Sequence, residues 1–84
     1  MTSNPKLTIG MPVYNGELFI KKAIESILAQ TFTDFELIIS NNSSTDSTEK
    51  ICQDFLNKDN RIQIHTQEKN IGIHRNFNFL LSQA

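Results

Sequence analysis

The run Phe35-Glu36-Leu37-Ile38-Ile39-Ser40, followed by the polar string Asn41-Asn42-Ser43-Ser44-Thr45, decides the fold. Three consecutive branched apolar residues suit a strand buried on both faces, as the inner strands of parallel sheets are. The polar string is too rich in Asn and Ser to continue either a strand or a helix. Asp46-Ser47-Thr48-Glu49 then resembles a capping box, with Glu three residues after a capping acceptor. Ile51, Cys52, Phe55 and Leu56 follow on one helical stripe.

The same order holds upstream. Leu7-Thr8-Ile9-Gly10-Met11 reads as a strand, with Pro12 ending its usable hydrogen-bonding run. Asn15-Gly16 is a strong turn dipeptide, but a hairpin is excluded because helical period follows it. Phe19, Ala23, Ile24, Ile27 and Leu28 share one face, while Glu17, Lys21, Lys22 and Glu25 take the other. The spacing predicts a helix from about Glu17 to Gln30. Downstream, Arg61-Ile62-Gln63-Ile64-His65-Thr66 alternates as a half-covered strand does. Gln67–Gly72 is a turn. A third helix is predicted from His74, with Phe77, Leu80, Leu81 and Ala84 on its apolar face. The alternation β-α-β-α-β-α argues an α/β fold: three β-α units on a parallel three-stranded sheet with right-handed crossovers.

Composition bounds the function. The chain has 84 residues, below the usual domain mode of about 100–150. Eight Lys+Arg face nine Asp+Glu, so no basic field exists to hold nucleic acid. One cysteine excludes an internal disulfide and makes a reducing compartment the default. Met1–Lys6 lacks an apolar stretch and does not read as a signal peptide. Dinucleotide, P-loop and nucleophile-elbow fingerprints are all missing. Cys52, His65 and His74 are scattered singly, without metal-ligand spacing. Asp34-Phe35-Glu36 begins the second strand, the wrong end for chemistry, and reads as a solvated turn.

Ligands of open parallel sheets bind beyond the carboxyl ends of the strands. Three loops lie there: Pro12–Gly16, Asn41–Thr45 and, if it folds back, the turn before the third helix. Small polar loops and helix N-termini suit a nucleotide with its phosphates. The same residues also make ordinary turns, and composition alone favours that reading.

The motif order resembles family 2 glycosyltransferases with the GT-A fold. The resemblance rests on Pro12-Val13-Tyr14-Asn15-Gly16, Ile24–Phe32, Phe35–Ile39 and Asn42–Thr48. Asp59-Asn60-Arg61-Ile62 and Asn70-Ile71-Gly72 with Arg75-Asn76 extend it. No piece is specific alone; together, in this order and spacing, they are. The resemblance implies a partial, Rossmann-like nucleotide-binding domain over residues 1–84, the amino-terminal portion that precedes a D-x-D motif. It implies a nucleotide-diphospho-sugar site formed by Pro12, Tyr14, Asn15, Glu17, Asn41, Asn42, Ser44 and Arg75. The family often carries Asp where Asn42 stands, so the charge that would favour uridine is absent here. Gly72-Ile73-His74-Arg75 is also shorter than the family's usual spacing, which leaves Arg75 divided between phosphate contact and a solvated helix position. Tyr14 is read as a ligand face, and Cys52 as core packing.

The resemblance further implies sugar transfer to a saccharide or lipid-linked acceptor, with inversion, in polysaccharide or cell-wall assembly. A divalent Mn or Mg ion would serve the full-length enzyme, with no metal ligand and no catalytic residue in this chain. The cytoplasm, near the inner membrane face, is the expected location. The alternative is a non-catalytic nucleotide-binding or assembly module. An exposed first-strand edge predicts pairing into a homodimer.

Overall fold

A computed structural model describes residues 7–83, so Met1–Lys6 and the expected core position Ala84 lie outside the described residues. The element order is β1 (Leu7–Val13), α1 (Ile20–Leu28), β2 (Phe35–Asn41), α2 (Thr48–Leu56), β3 (Ile62–Thr66) and α3 (Ile73–Gln83). The three strands form one parallel sheet in the order β1-β2-β3. Register runs from Leu7↔Phe35 to Val13↔Asn41, and from Leu37↔Ile62 to Asn41↔Thr66. The expected α/β class and the central place of the Leu37-Ile38-Ile39 strand are both realised.

The pleat sorts side chains onto two faces. Val13, Phe35, Leu37, Ile39 and Ile62 join Ile20 and Ile24 of α1 and Cys52 of α2 in one buried cluster. The opposite face is covered by α3, which packs on β1 and β2. There Leu80 sits over Gly10 and Ile38, and the Phe79 ring meets the edge of His65 at 5.2 Å. Two helices on one face and the third on the other mark a change of winding direction. In open α/β sheets such a change opens a crevice at the carboxyl ends of the strands.

Two boundaries and one helix face differ from expectation. Pro12 does not end β1, which continues to Val13. The Val13 carbonyl accepts from the Asn42 N–H at 2.9 Å, so alternate residues direct their backbone groups toward β2. Pro12 therefore turns its ring nitrogen to the outer edge, where no ladder partner is needed. Helix α1 begins at Ile20 rather than Glu17, because Gly16–Phe19 closes a tight turn first: the N–H groups of Phe19 and Ile20 both donate to the Gly16 carbonyl. Helix α3 buries Asn76 and Leu80, whereas Phe77 and Leu81 are 53% and 61% exposed. The apolar stripe of α3 is thus only half covered among the described residues, and β1 has a strand on one side only.

Candidate nucleotide pocket

A cavity of about 350 Å³ opens at the carboxyl ends of β1 and β2, lined by Pro12, Val13, Tyr14, Asn42, Asn70, Ile73 and Asn76. That volume lies in the range of small-molecule sites, roughly 300–1,000 Å³. One wall is apolar (Pro12, Val13, Tyr14, Ile73) and the other is a row of amides (Asn42, Asn70, Asn76). Tyr14 stays 49% exposed at the rim.

The turn between β3 and α3 folds back to complete the wall, as the third expected loop required. The Gln67 N–H donates to the Asn41 carbonyl at 2.9 Å and the Ile71 N–H to Asn42 Oδ1 at 2.9 Å. Asn70 Oδ1 accepts from the Gly72 N–H at 2.8 Å and from Asn42 Nδ2 at 3.2 Å. Asn42 Nδ2 also reaches the Gly72 carbonyl at 3.3 Å. Gly72 adopts φ +86°, open to glycine at no steric cost, which lets the turn reverse into α3. The Asn42 amide is thereby fixed in orientation: both N–H groups are engaged, and one lone pair of Oδ1 remains for a ligand. Beneath it, Ser40 Oγ donates to Asn76 Oδ1, Asn76 Nδ2 donates to the Ser40 carbonyl at 3.0 Å, and Gln67 Nε2 donates to Ser40 Oγ at 3.2 Å. This buried network seats the first turn of α3 on the end of β2.

Of the eight expected site residues, Pro12, Tyr14 and Asn42 line the pocket. Asn15, Glu17, Asn41 and Ser44 instead tie the β1–α1 loop to the β2–α2 loop. The Asn15 N–H donates to Ser44 Oγ at 2.9 Å, and Asn15 Oδ1 accepts from the Thr45 N–H at 2.8 Å. Ser44 Oγ donates in turn to Asn41 Oδ1 at 2.6 Å. Asn41 Nδ2 is buried without a hydrogen-bond partner among the described residues, a loss of about 1–3 kcal/mol. The Glu17 N–H donates to Asp46 Oδ2 at 3.2 Å, while Glu17 Oε1 accepts from the Ser47 N–H at 2.8 Å. In a capping box led by Asp46, Glu49 would reach back to the Asp46 amide. Here the carboxylate at the start of α2 comes instead from Glu17 of the neighbouring loop, on the Ser47 amide, and Asp46 accepts from the N–H and hydroxyl of Thr48. Arg75 is exposed on α3 and outside the pocket lining, one position from the buried Asn76.

The residues the sequence reading missed as pocket wall are Val13, Asn70, Ile73 and Asn76. Asn70 and Asn76 belonged to quoted motifs, so a signal existed. Cys52 is fully buried in the core, and burial, with the nearby Glu49 charge, pushes its thiol up to about 11. It is inert at neutral pH.

The sequence model of glycosyl transferase family 2 matches residues 8–84. The chain belongs to glycosyl transferase family 2. Family members share its pattern over nearly its whole length. It is 36% identical over 73 residues to glycosyltransferase GlyA of Streptococcus pneumoniae, covering 87% of this chain and 10% of GlyA. It is 37% identical over 81 residues to a GalNAc(5)-diNAcBac-PP-undecaprenol beta-1,3-glucosyltransferase of Campylobacter jejuni, covering 95% and 26%. Among solved structures, S. aureus TarS 1–349 in complex with UDP superposes with a TM-score of 0.84 at 30% identity, covering 94% of this chain and 24% of TarS. Mannosyltransferase PcManGT from Pyrobaculum calidifontis, solved with GDP-Man and Mn2+, superposes with a TM-score of 0.86 at 21% identity, covering 99% and 25%. That second likeness concerns the fold alone. The chain spans from a tenth to about a third of the length of the relatives it matches.

Proposed function

We propose that this chain forms the nucleoside-binding part of a glycosyltransferase using a nucleotide-diphospho-sugar donor. The observation that carries the reading is the pocket itself, assembled at the carboxyl ends of β1 and β2 from all three expected loops. A planar base would enter between Tyr14 and Ile73. Asn42 Oδ1 would accept from a base N–H, and Asn70, whose oxygen is already engaged by Gly72 and Asn42, would offer its Nδ2 donors. Arg75, exposed beside this wall, is assigned to the diphosphate. The TarS structure with UDP supports the ligand class.

For the whole enzyme, the reading is transfer to a saccharide or lipid-linked acceptor with inversion: an acceptor hydroxyl attacks the anomeric carbon as the nucleoside diphosphate leaves. The described residues gather no group of three His, Cys, Asp or Glu that could hold a metal, and the amides around the pocket are poor ligands for a divalent ion. The described residues therefore do not fit the Mn or Mg ion, and their own part is to bind and orient the nucleoside. In this reading the chain alone binds but does not transfer. No helix among the described residues is long and apolar enough to cross a membrane.

Calorimetric titration of the 84-residue chain with UDP, GDP and TDP sugars tests the proposal. Binding that is weakened about tenfold by Tyr14→Ala is the expected result, since base–aromatic stacking contributes about 1–3 kcal/mol. No heat at millimolar ligand would remove the nucleotide reading and leave the assembly module.

A further inference from the structure

We propose that Thr48 is a positioning residue for the pocket, presetting the Tyr14 loop through a hydroxyl relay, a role that rests on the nucleotide reading above. The Gly16 N–H donates to Thr48 Oγ1 at 2.8 Å in a buried setting, and Thr48 Oγ1 donates to Asp46 Oδ1 at 2.5 Å. Asp46 Oδ2 accepts from the Glu17 N–H, and Glu17 Oε1 accepts from the Ser47 N–H. Asn15 adds its two bonds to Ser44 and Thr45.

Three consecutive residues after Tyr14 are thus tied by backbone N–H to the loop and first turn of α2. Thr48 is fully buried and touches no pocket surface. Its hydroxyl is the only group of the set that accepts from one loop while donating to a carboxylate of the other. The loop needs such support: Asn15 sits at φ +51°, and a Cβ on Gly16 would lie 2.7 Å from Val13 Cγ2. Tyr14 itself makes no side-chain hydrogen bond among the described residues, so its place at the rim follows from the backbone clasp behind it.

The chain holds one tyrosine and no tryptophan, so its near-ultraviolet emission reports Tyr14 alone. Thr48→Val keeps the shape and removes the hydroxyl; Thr48→Ser keeps the hydroxyl. We expect Thr48→Val to lower the fluorescence anisotropy of Tyr14 in the free chain. Affinity for whichever of UDP, GDP and TDP the wild type binds, read by calorimetric titration, should fall about tenfold, the equivalent of one buried hydrogen bond. Thr48→Ser should restore both. A Thr48→Val chain with wild-type anisotropy and affinity, whatever its melting temperature, overturns the proposal. If Thr48→Val does not fold, Asp46→Ala carries the test: loss of the acceptor for the Thr48 hydroxyl and the Glu17 N–H should weaken nucleotide binding about tenfold with lower anisotropy, and unchanged values overturn the relay. If neither UDP, GDP nor TDP gives binding heat with the wild type at millimolar concentration, the nucleotide reading fails, while the anisotropy arm still judges the clasp.

Discussion

Ser43 shows how a single residue can carry strain for its loop. It lies at φ +59°, a left-handed conformation that costs an ordinary L-residue about 1–2 kcal/mol. Glycine adopts it freely but loses more entropy on folding. Ser43→Gly should therefore stabilise the chain by about 0.5–1 kcal/mol, seen as a higher urea midpoint with unchanged slope. Neighbouring residues show how far a motif can be read. Asn41 and Asn42 look alike in sequence. Asn42 continues the extended pairing one residue past β2, its N–H on the Val13 carbonyl, and adjacent residues of an extended chain point to opposite faces, so Asn41 turns to Ser44 and the loop clasp while Asn42 turns to Asn70 and the pocket. Arg75 and Asn76 divide for the analogous reason on a helix, where successive residues differ by about 100° in direction. The sequence reading set Asn41, Asn42 and Arg75 at one site, and the pleat and helix phase assigned each its own partners.

Among the elements, the link from α2 to β3 depends on one clamp. Arg61 meets Asp59 with Nε at 3.0 Å and Nη2 at 2.8 Å, donates to the Thr33 carbonyl at 3.3 Å, and lies 4.5 Å over the Phe35 ring. The D-x-R motif is structural here: it fastens the start of β3 to the start of β2. The hydrogen bond from Arg61 outweighs burial and holds the Asp59 carboxyl below its ordinary value of 3.8. A depressed folded pKa adds stability above the unfolded value, and that stability is lost as pH falls through the folded one. Asp59→Asn should lower the urea midpoint at pH 7 and flatten its decline below about pH 4, where wild type and variant converge. Element types were legible from periodicity alone. Their ends were not, because α1 and α2 start where cross-loop bonds from Gly16, Glu17 and Asp46 allow.

On the scale of the whole molecule, stability is narrow. Domains hold about 0.05–0.15 kcal/mol per residue, so 84 residues correspond to roughly 4–13 kcal/mol. Leu37 is fully buried at the centre of the sheet, and Leu37→Ala should cost about 2–5 kcal/mol. Circular dichroism at 37 °C should then show a substantial unfolded fraction, against a folded wild type. The exposed Phe77 and Leu81 beside the open side of β1 contribute little to that balance, because each is more than half in water.

The order of motifs by itself determined the family, the parallel sheet and two of the loops at its carboxyl end, leaving the third to depend on whether the turn before α3 folds back. Those properties follow from local periodicity and turn chemistry, which neighbouring residues encode. Only the tertiary structure decided that Asn15, Glu17 and Ser44 hold loops together while Val13, Asn70, Ile73 and Asn76 join the wall. Pocket membership depends on which side chain the pleat, the helix phase and the reversal at Gly72 turn toward one point, and residues distant in sequence set that direction.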